Sequence, residues 1–535
     1  MIRRGMIFCK KLTFKMKPPI AIAAFISSDV STGYHIICTG KETPMTVTNS
    51  LPRSIPERYG VSSSAILSFL EEIEQRKLEL HGFMLLRHGH VLAEGWWKPY
   101  HPEIPHAVYS LTKSFTSLAA GFAVQEGRLS LDQRVLAYFP EMDHGAIREN
   151  IRDMSIRHLL TMTTGHETDT ARFGATPDFL QHITEARVGD RSDRDYVRGF
   201  MEHPVTKAPG THFLYNSGAS HVLGAIVERV TGSRLVDYLQ PRLFVPLGID
   251  RLSWEEAPHG ENTGGWGLKL CTEDIAKFGQ LLLNKGEWNG QRLIASEWIE
   301  QAGSRQADNR PIANPEGQPI NVDWIQGYGY QFWRCRHNAY RGDGAFGQYC
   351  IVLPDQDAVI AINGGLPNMQ GVMDAIWRHL LPSMNEPCLA SDSIANDRLA
   401  SKLNSLELGE QGGLESLPWD PPQKRYSIQS NEQGVQRIGL TFTENRCVFQ
   451  WRDHRGEHQL IAGIGEWHVN HRGGDKAAVR GVWLDRSRFE IYVYPPDSPH
   501  YDRLAFQFQG NGVSLQHEHL SFIPLKHEFS GVEEK

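Results

Sequence analysis

Ser110-Leu-Thr-Lys113 places a hydroxyl and an amine three residues apart. A serine hydroxyl is a poor nucleophile until a neighbouring base takes its proton. On a helix, positions i and i+3 share a face, so the amine comes within reach of the hydroxyl. A serine at a helix N-terminus also has unpaired backbone N–H groups nearby, one of which can face a developing oxyanion. Lysine acts as a base only where burial or neighbouring positive charge lowers its pKa. Such a pair supports acyl transfer through a serine ester. The spacing alone is weak, since about one or two S-x-x-K matches arise by chance in a chain of this size. This match opens an amphipathic segment with Phe115, Leu118, Ala119, Phe122 and Ala123 on one stripe, ended by Gly127.

The elements that must carry the pair can be read on both sides of it. Ile66, Phe69, Leu70 and Ile73 predict a helix within Ser63–Leu80. Phe83–Arg87 and Val91–Gly95 read as two strands joined at His88-Gly89-His90. Residues 130–325 are mainly helical segments and loops, including Ser220–Val230 and Thr272–Leu283. Strand character returns at Tyr328–Trp333, Gln348–Leu353 and Ala358–Ile362, before a helix over Met369–Leu381. Two strands before the helical region and three after it predict one five-stranded antiparallel sheet with a large helical insertion.

Residues 385–420 are polar and read as a linker. Beyond Pro421-Pro422 the apolar residues alternate at period two, as in Phe489/Ile491/Val493 and Leu504/Phe506/Phe508. A small all-β domain, barrel or sandwich, is expected over residues 421–530. Trp451, Trp467 and Trp483 recur every 16 residues, which fits either a true repeat or a meander of similar strands. The hydrolase domain would then span 51–384, after a disordered or extended tail over 1–50.

A net charge of −7 over 535 residues gives no reason to expect nucleic acid as a partner. Seven widely spaced cysteines without a CxxC pair argue against a disulfide framework or a cysteine-based zinc site. His454, His458, His468 and His471 read as solvated surface histidines, so no metal is expected. Nucleotide-binding glycine motifs are missing, and no cofactor is implied. No apolar run is long enough to span a membrane. A basic stretch precedes Pro19–Ile26, but the apolar part is short, so a cytoplasmic location is favoured over export.

Ser110-Leu-Thr-Lys113 resembles the first motif of the serine β-lactamase and penicillin-binding-protein superfamily, especially its class C and esterase-like branch. Tyr215-Asn-Ser217 resembles the second motif, with serine where many esterase-like members also carry it. Arg157–Gly165, Gly265–Gly267, Asp274–Leu283 and Gly327–Gly329 match further stretches in the same order. The resemblance covers about residues 55–382 and implies an α+β fold of the β-lactamase/transpeptidase type. It implies that Ser110 attacks an acyl carbonyl, that Lys113 and Tyr215 share its proton, and that Tyr215 serves the leaving group. Ser217 is either a substrate contact or a helix N-cap.

Gly342-Asp343-Gly344 takes the place of the third motif. Gly344 keeps the small residue beside the substrate, and the N–H of Ala345 would be the second oxyanion donor. The cation that usually meets a β-lactam carboxylate is missing. Asp343 is either a negative charge in the cleft or a turn residue between glycines. The expectation is a serine acyl hydrolase acting on a small ester or amide, esterase-like. The alternatives are a slowly acylated or non-catalytic penicillin-binding-type sensor, and a β-lactamase or D-alanyl peptidase. Oligomeric state is left open.

Overall fold

A computed structural model describes residues 50–143, 149–171, 195–310, 322–385, 387–409, 423–472, 475–522 and 524–534. The N-terminal tail with its basic stretch lies outside them. The first half of the chain opens with helix α1 (Ser63–Gln75), whose Ile66, Phe69, Leu70 and Ile73 are buried together. Strands β1 (Leu80–Arg87) and β2 (His90–Trp96) follow as a hairpin.

Four more strands arrive after the helical insertion: β3 (Trp333–Arg334), β4 (Tyr340–Gly344), β5 (Gln348–Leu353) and β6 (Ala358–Gly364). The sheet runs β2-β1-β6-β5-β4-β3 with every pairing antiparallel. β1, β5 and β6 are buried along their whole length, which fits a central sheet covered on both faces. Alternation along β1 divides the core: Met84 and Leu86 join the cluster of the helical insertion, while Phe83 and Leu85 pack with α1. The face toward the insertion is covered by α2 (Thr112–Gln125) and α4 (Thr272–Leu283), and α3 (Ser217–Thr231) packs on α2.

The third expected strand lies elsewhere. Tyr328–Trp333 is not a strand; Tyr328 makes only isolated bridges to Ala307 and Trp333. Gln331 sits at φ +66°, a left-handed conformation that interrupts any extended run. The alternating aromatics there are buried as irregular chain, and the strand itself is Tyr340–Gly344, with Trp333–Arg334 as a short sixth member at the edge.

Within the segment read as a linker, α5 (Ser393–Asn404) forms a helix capped by Asp392, with Ala395 and Leu399 buried. The all-β region follows. Its strands are β7 (Lys424–Ile428), β8 (Arg437–Phe442), β9 (Arg446–Asp453), β10 (Gly456–Ile464), β11 (His468–Arg472), β12 (Asp475–Asp485), β13 (Arg488–Tyr494), β14 (Tyr501–Gln509), β15 (Gly512–Leu520) and β16 (Leu525–Glu533). The antiparallel order β10-β9-β8-β7-β16-β15-β14-β13-β12 is closed by a parallel pairing of Gly463–Ile464 with Arg480–Gly481. The result is a nine-stranded barrel, with β11 paired outside it on β12. Closure leaves few unpaired strand edges.

The three tryptophans do not share a role. Trp451 and Trp483 fill the barrel, while Trp467 packs edge-on to Tyr494 outside it. His458 is corrected as well: it is buried, with Nε2 3.0 Å from the Asp453 carboxylate. Cys271, Cys335, Cys350, Cys388 and Cys447 are free thiols.

Candidate active site

A tight turn presents the serine. The chain passes His106–Ala107, paired with Leu268–Leu270, and turns at Tyr109, whose φ of +46° is unusual for a side chain this size. Ser110 lies in the short 3-10 turn Tyr109–Leu111 that leads into α2. Its side chain is half-buried at the surface of the insertion, and Lys113 is buried beneath it.

Lys113 Nζ lies 2.9 Å from Ser110 Oγ and donates to the Gly265 carbonyl at 2.7 Å. That carbonyl is within reach because Gly264-Gly265 threads between α2 and α3: a Cβ at Gly265 would stand 2.6 Å from the Ser217 carbonyl oxygen. Thr116 donates to the Gly264 carbonyl at 2.7 Å and fixes the same strand of chain. No carboxylate among the described residues forms an ion pair with Lys113. Burial therefore dominates and lowers its pKa to about 7, against the opposing charges of Asp169 and Asp343.

Tyr215 precedes α3 and stacks on Trp333 at 5.2 Å between ring centroids. Its ring lies 4.9 Å from Lys113 Nζ. Burial raises its phenol pKa well above the ordinary value, with Asp343 adding to the rise and a hydrogen bond with Ser110 opposing it. The phenol is thus held neutral, while the lysine is free to lose a proton near neutrality. Ser217 is the first residue of α3, but the cap is Asn216, whose Oδ1 accepts from Gly218 N at 3.0 Å. Ser217 is buried, and its own N–H donates to Asp169 Oδ1 at 2.8 Å.

The third-motif strand runs directly past the serine. A Cβ at Gly344 would stand 2.1 Å from the Val108 carbonyl oxygen and 3.1 Å from Ser110 N. Only glycine permits that approach, which brings the backbone of Gly344-Ala345 beside the backbone of Ser110. Gly342 faces the same way, and its Cβ would meet Leu111 and Ser114. Asp343 therefore points to the other face, as alternation requires. There its carboxylate accepts from Arg341 Nε at 3.0 Å, forms an ion pair with Nη2 at 2.8 Å, and is nearly closed to solvent. Neither reading of Asp343 holds as expected: it is a strand residue, and its charge is paired inside the protein. Burial raises its pKa, with Arg341 opposing.

Lys113, Tyr215 and Gly344, with Ala345 next in the chain, thus gather around Ser110, and Ser217 is buried at the start of α3. Three contributors escaped the sequence reading. Arg341 stood two residues before Asp343, a same-face spacing on a strand that could have revealed the pair. Trp333, at the start of β3, also forms the wall under Tyr215, a contact between distant residues that leaves no local mark. Asp169 lies in a loop, whose contacts carry no local signal.

A serine at a helix start, an amine below it and a glycine strand alongside form an arrangement able to support acyl transfer. The β-lactamase family model matches residues 70–381, more than half of the sequence, and the chain belongs to that family. It is 28% identical over 334 residues to a 6-aminohexanoate-dimer hydrolase of Paenarthrobacter ureafaciens, covering 60% of this chain and 82% of that protein. It is also 28% identical over 152 residues to a lovastatin esterase of Penicillium rubens, covering 26% of this chain and 37% of the esterase. Among solved structures, the octameric penicillin-binding protein homologue from Pyrococcus abyssi aligns with a TM-score of 0.44 at 16% identity, over 87% of this chain and 99% of that one. No described helix is long and apolar enough to cross a membrane.

Proposed function

We propose that the protein is an esterase-like serine hydrolase that cleaves a small ester or amide through an acyl-enzyme on Ser110. The observation that carries this reading is the buried Lys113 amine, 2.9 Å from Ser110 Oγ and held by a neutral carbonyl rather than a carboxylate. In its neutral form the amine donates to Gly265 and turns its lone pair to the Ser110 hydroxyl. It takes that proton as Oγ attacks the carbonyl carbon. The backbone N–H groups of Ser110 and Ala345 receive the developing oxyanion. Tyr215, kept as a neutral phenol, donates to the leaving group and is re-protonated through Lys113. Water then enters on the same base and releases the acid.

Preference for substrates without a carboxylate rests on Gly342. The position carries no cation, and a Cβ there would stand 2.4 Å from Leu111 Cδ1 and 2.5 Å from Ser114 Oγ, so a lysine-bearing third motif would require both side chains to shift. Arg341, the nearest cation on the strand, is engaged with Asp343 on the far face. The relatives named as a dimer hydrolase and an esterase support amide and ester cleavage within one family.

Hydrolysis of p-nitrophenyl acetate and butyrate by the wild type and Ser110→Ala tests the reading. The substitution should remove the activity and the labelling by a fluorophosphonate. Equal rates in the two proteins would sink it.

A further inference from the structure

The C-terminal barrel reaches the nucleophile. The connection between β13 and β14 lays Asp497 against the catalytic unit, where its carbonyl accepts from Ala107 N at 2.9 Å and its carboxylate pairs with Lys269. Three residues on, His500 Nε2 lies 2.7 Å from the hydroxyl of Tyr109, the residue before Ser110. Phe522, in the connection between β15 and β16, meets Tyr109 edge-on at 5.3 Å and Phe346 at 5.0 Å. Phe346 in turn follows Ala345 and touches His500 at 5.0 Å. The two backbone donors assigned to the oxyanion are thus each flanked by an aromatic ring, and the barrel supplies two further rings that join them.

This collar keeps exposed surface. Tyr109, Ser110, Ala345 and Phe346 are all half-buried, and Phe522 is 51% exposed, one of the few large apolar side chains in that state. A single exposed apolar side chain is ordinary, but this one belongs to a cluster of four rings beside Ser110, a surface that an apolar substrate group would bury. The docking beneath it is extensive: Tyr492 and Tyr494 of β13 belong to the same apolar cluster as α1, and Tyr100 Oη donates to the Ser498 carbonyl at 2.9 Å.

We infer that the barrel completes the active site, with Phe522 and His500 forming beside Tyr109 and Phe346 an aromatic wall that binds the apolar portion of the substrate. The inference rests on Ser110 being the nucleophile. It makes the barrel a determinant of substrate choice: longer or bulkier apolar groups gain contact with the wall, and acetyl groups do not reach it. A hydrophobic contact of this kind discriminates by about tenfold or more.

The test uses the full chain and two ester series, one varying the acyl group from acetate to octanoate and one varying the alcohol. Wild type, Phe522→Ala, Phe522→Leu and His500→Ala are compared, with fluorophosphonate labelling of Ser110 in each. The expected result is an approximately tenfold loss of the long-over-short preference in kcat/KM for Phe522→Ala in one series, carried by KM. Phe522→Leu should restore most of it, and His500→Ala should move it the same way. A uniform change across all esters, or unchanged preferences in both series while Ser110 still labels, would overturn the inference. Failure of the wild type to label or to cleave any ester removes the nucleophile reading instead, and this inference with it.

Discussion

Lys113 and Arg341 are both buried cations, on opposite sides of the strand that passes Ser110, and the protein treats them in opposite ways. Lys113 has a serine oxygen and a backbone carbonyl for partners, and its pKa falls to about 7. Arg341 has the Asp343 carboxylate, the Asp323 carbonyl at 2.7 Å and the Trp324 ring at 4.0 Å, and its guanidinium is held firmly charged. Burial is common to both; the head group and the counter-ion differ, because an amine can lose its proton when buried whereas a guanidinium keeps it and needs a partner. Removing a cation from water without pairing it produces a base, whereas removing it with a carboxylate produces a fixed strut. The reactive side of the cleft therefore keeps its carboxylates at a distance, and the structural side holds one in contact.

The comparison breaks most visibly at Lys113. Lys113→Arg keeps the charge and much of the volume but offers no removable proton. Its turnover should fall by about a thousandfold, within the range general bases contribute, and the residual rate should lose its pH dependence near neutrality. The wild type should show the converse in a pH–rate profile, with kcat/KM rising as pH increases through about 7 as the amine deprotonates. A Lys113→Arg rate within tenfold of wild type would show that the neutral amine is not the base.

Arg341→Met probes the opposite side. It strands the Asp343 carboxylate in the interior, and losing one partner of a buried pair costs about 3–5 kcal/mol. Denaturant unfolding should show that loss, while Arg341→Met/Asp343→Leu should recover much of it. An Arg341→Met protein as stable as wild type would mean that Asp343 is solvated or protonated at no cost.

How legible these two regions were in the sequence differs for the same physical reason. Ser110 and Lys113 interact within one helical turn, so their contact was readable from spacing, and α1 and α4 followed from apolar period. Arg341 and Asp343 share a strand face, but the strand was sought at Tyr328–Trp333, where aromatic alternation imitates a strand and Gln331 at φ +66° forbids it. The β texture after Pro421 was clear, yet alternation does not distinguish a sandwich from a barrel. Closure depends on Gly463–Ile464 meeting Arg480–Gly481, a pairing between distant residues with no local mark. Asp169 and the barrel's contacts with Tyr109 are of the same long-range kind. Asn216, not Ser217, caps α3, a one-residue distinction set by which oxygen reaches Gly218 N.

The smallest expected effect is the most discriminating. Burial sets the pKa of Lys113, and the charges of Asp169 and then Asp343 push it back up. Asp169 accepts from Ser217 N and Ala171 N, both of which an asparagine oxygen can also satisfy. Asp169→Asn should therefore leave the fold intact and remove a negative charge from the neighbourhood of the amine. The protonated lysine loses stabilisation, its pKa falls further, and the acid limb of the kcat/KM profile moves to lower pH by a fraction of a unit. Asp343→Asn should move the limb in the same direction but less, because Asp169 is the larger of the two charges acting on the amine. An acid limb that moves upward, or more for Asp343→Asn than for Asp169→Asn, would mean that the paired carboxylate governs the base and that the division between the two cations fails.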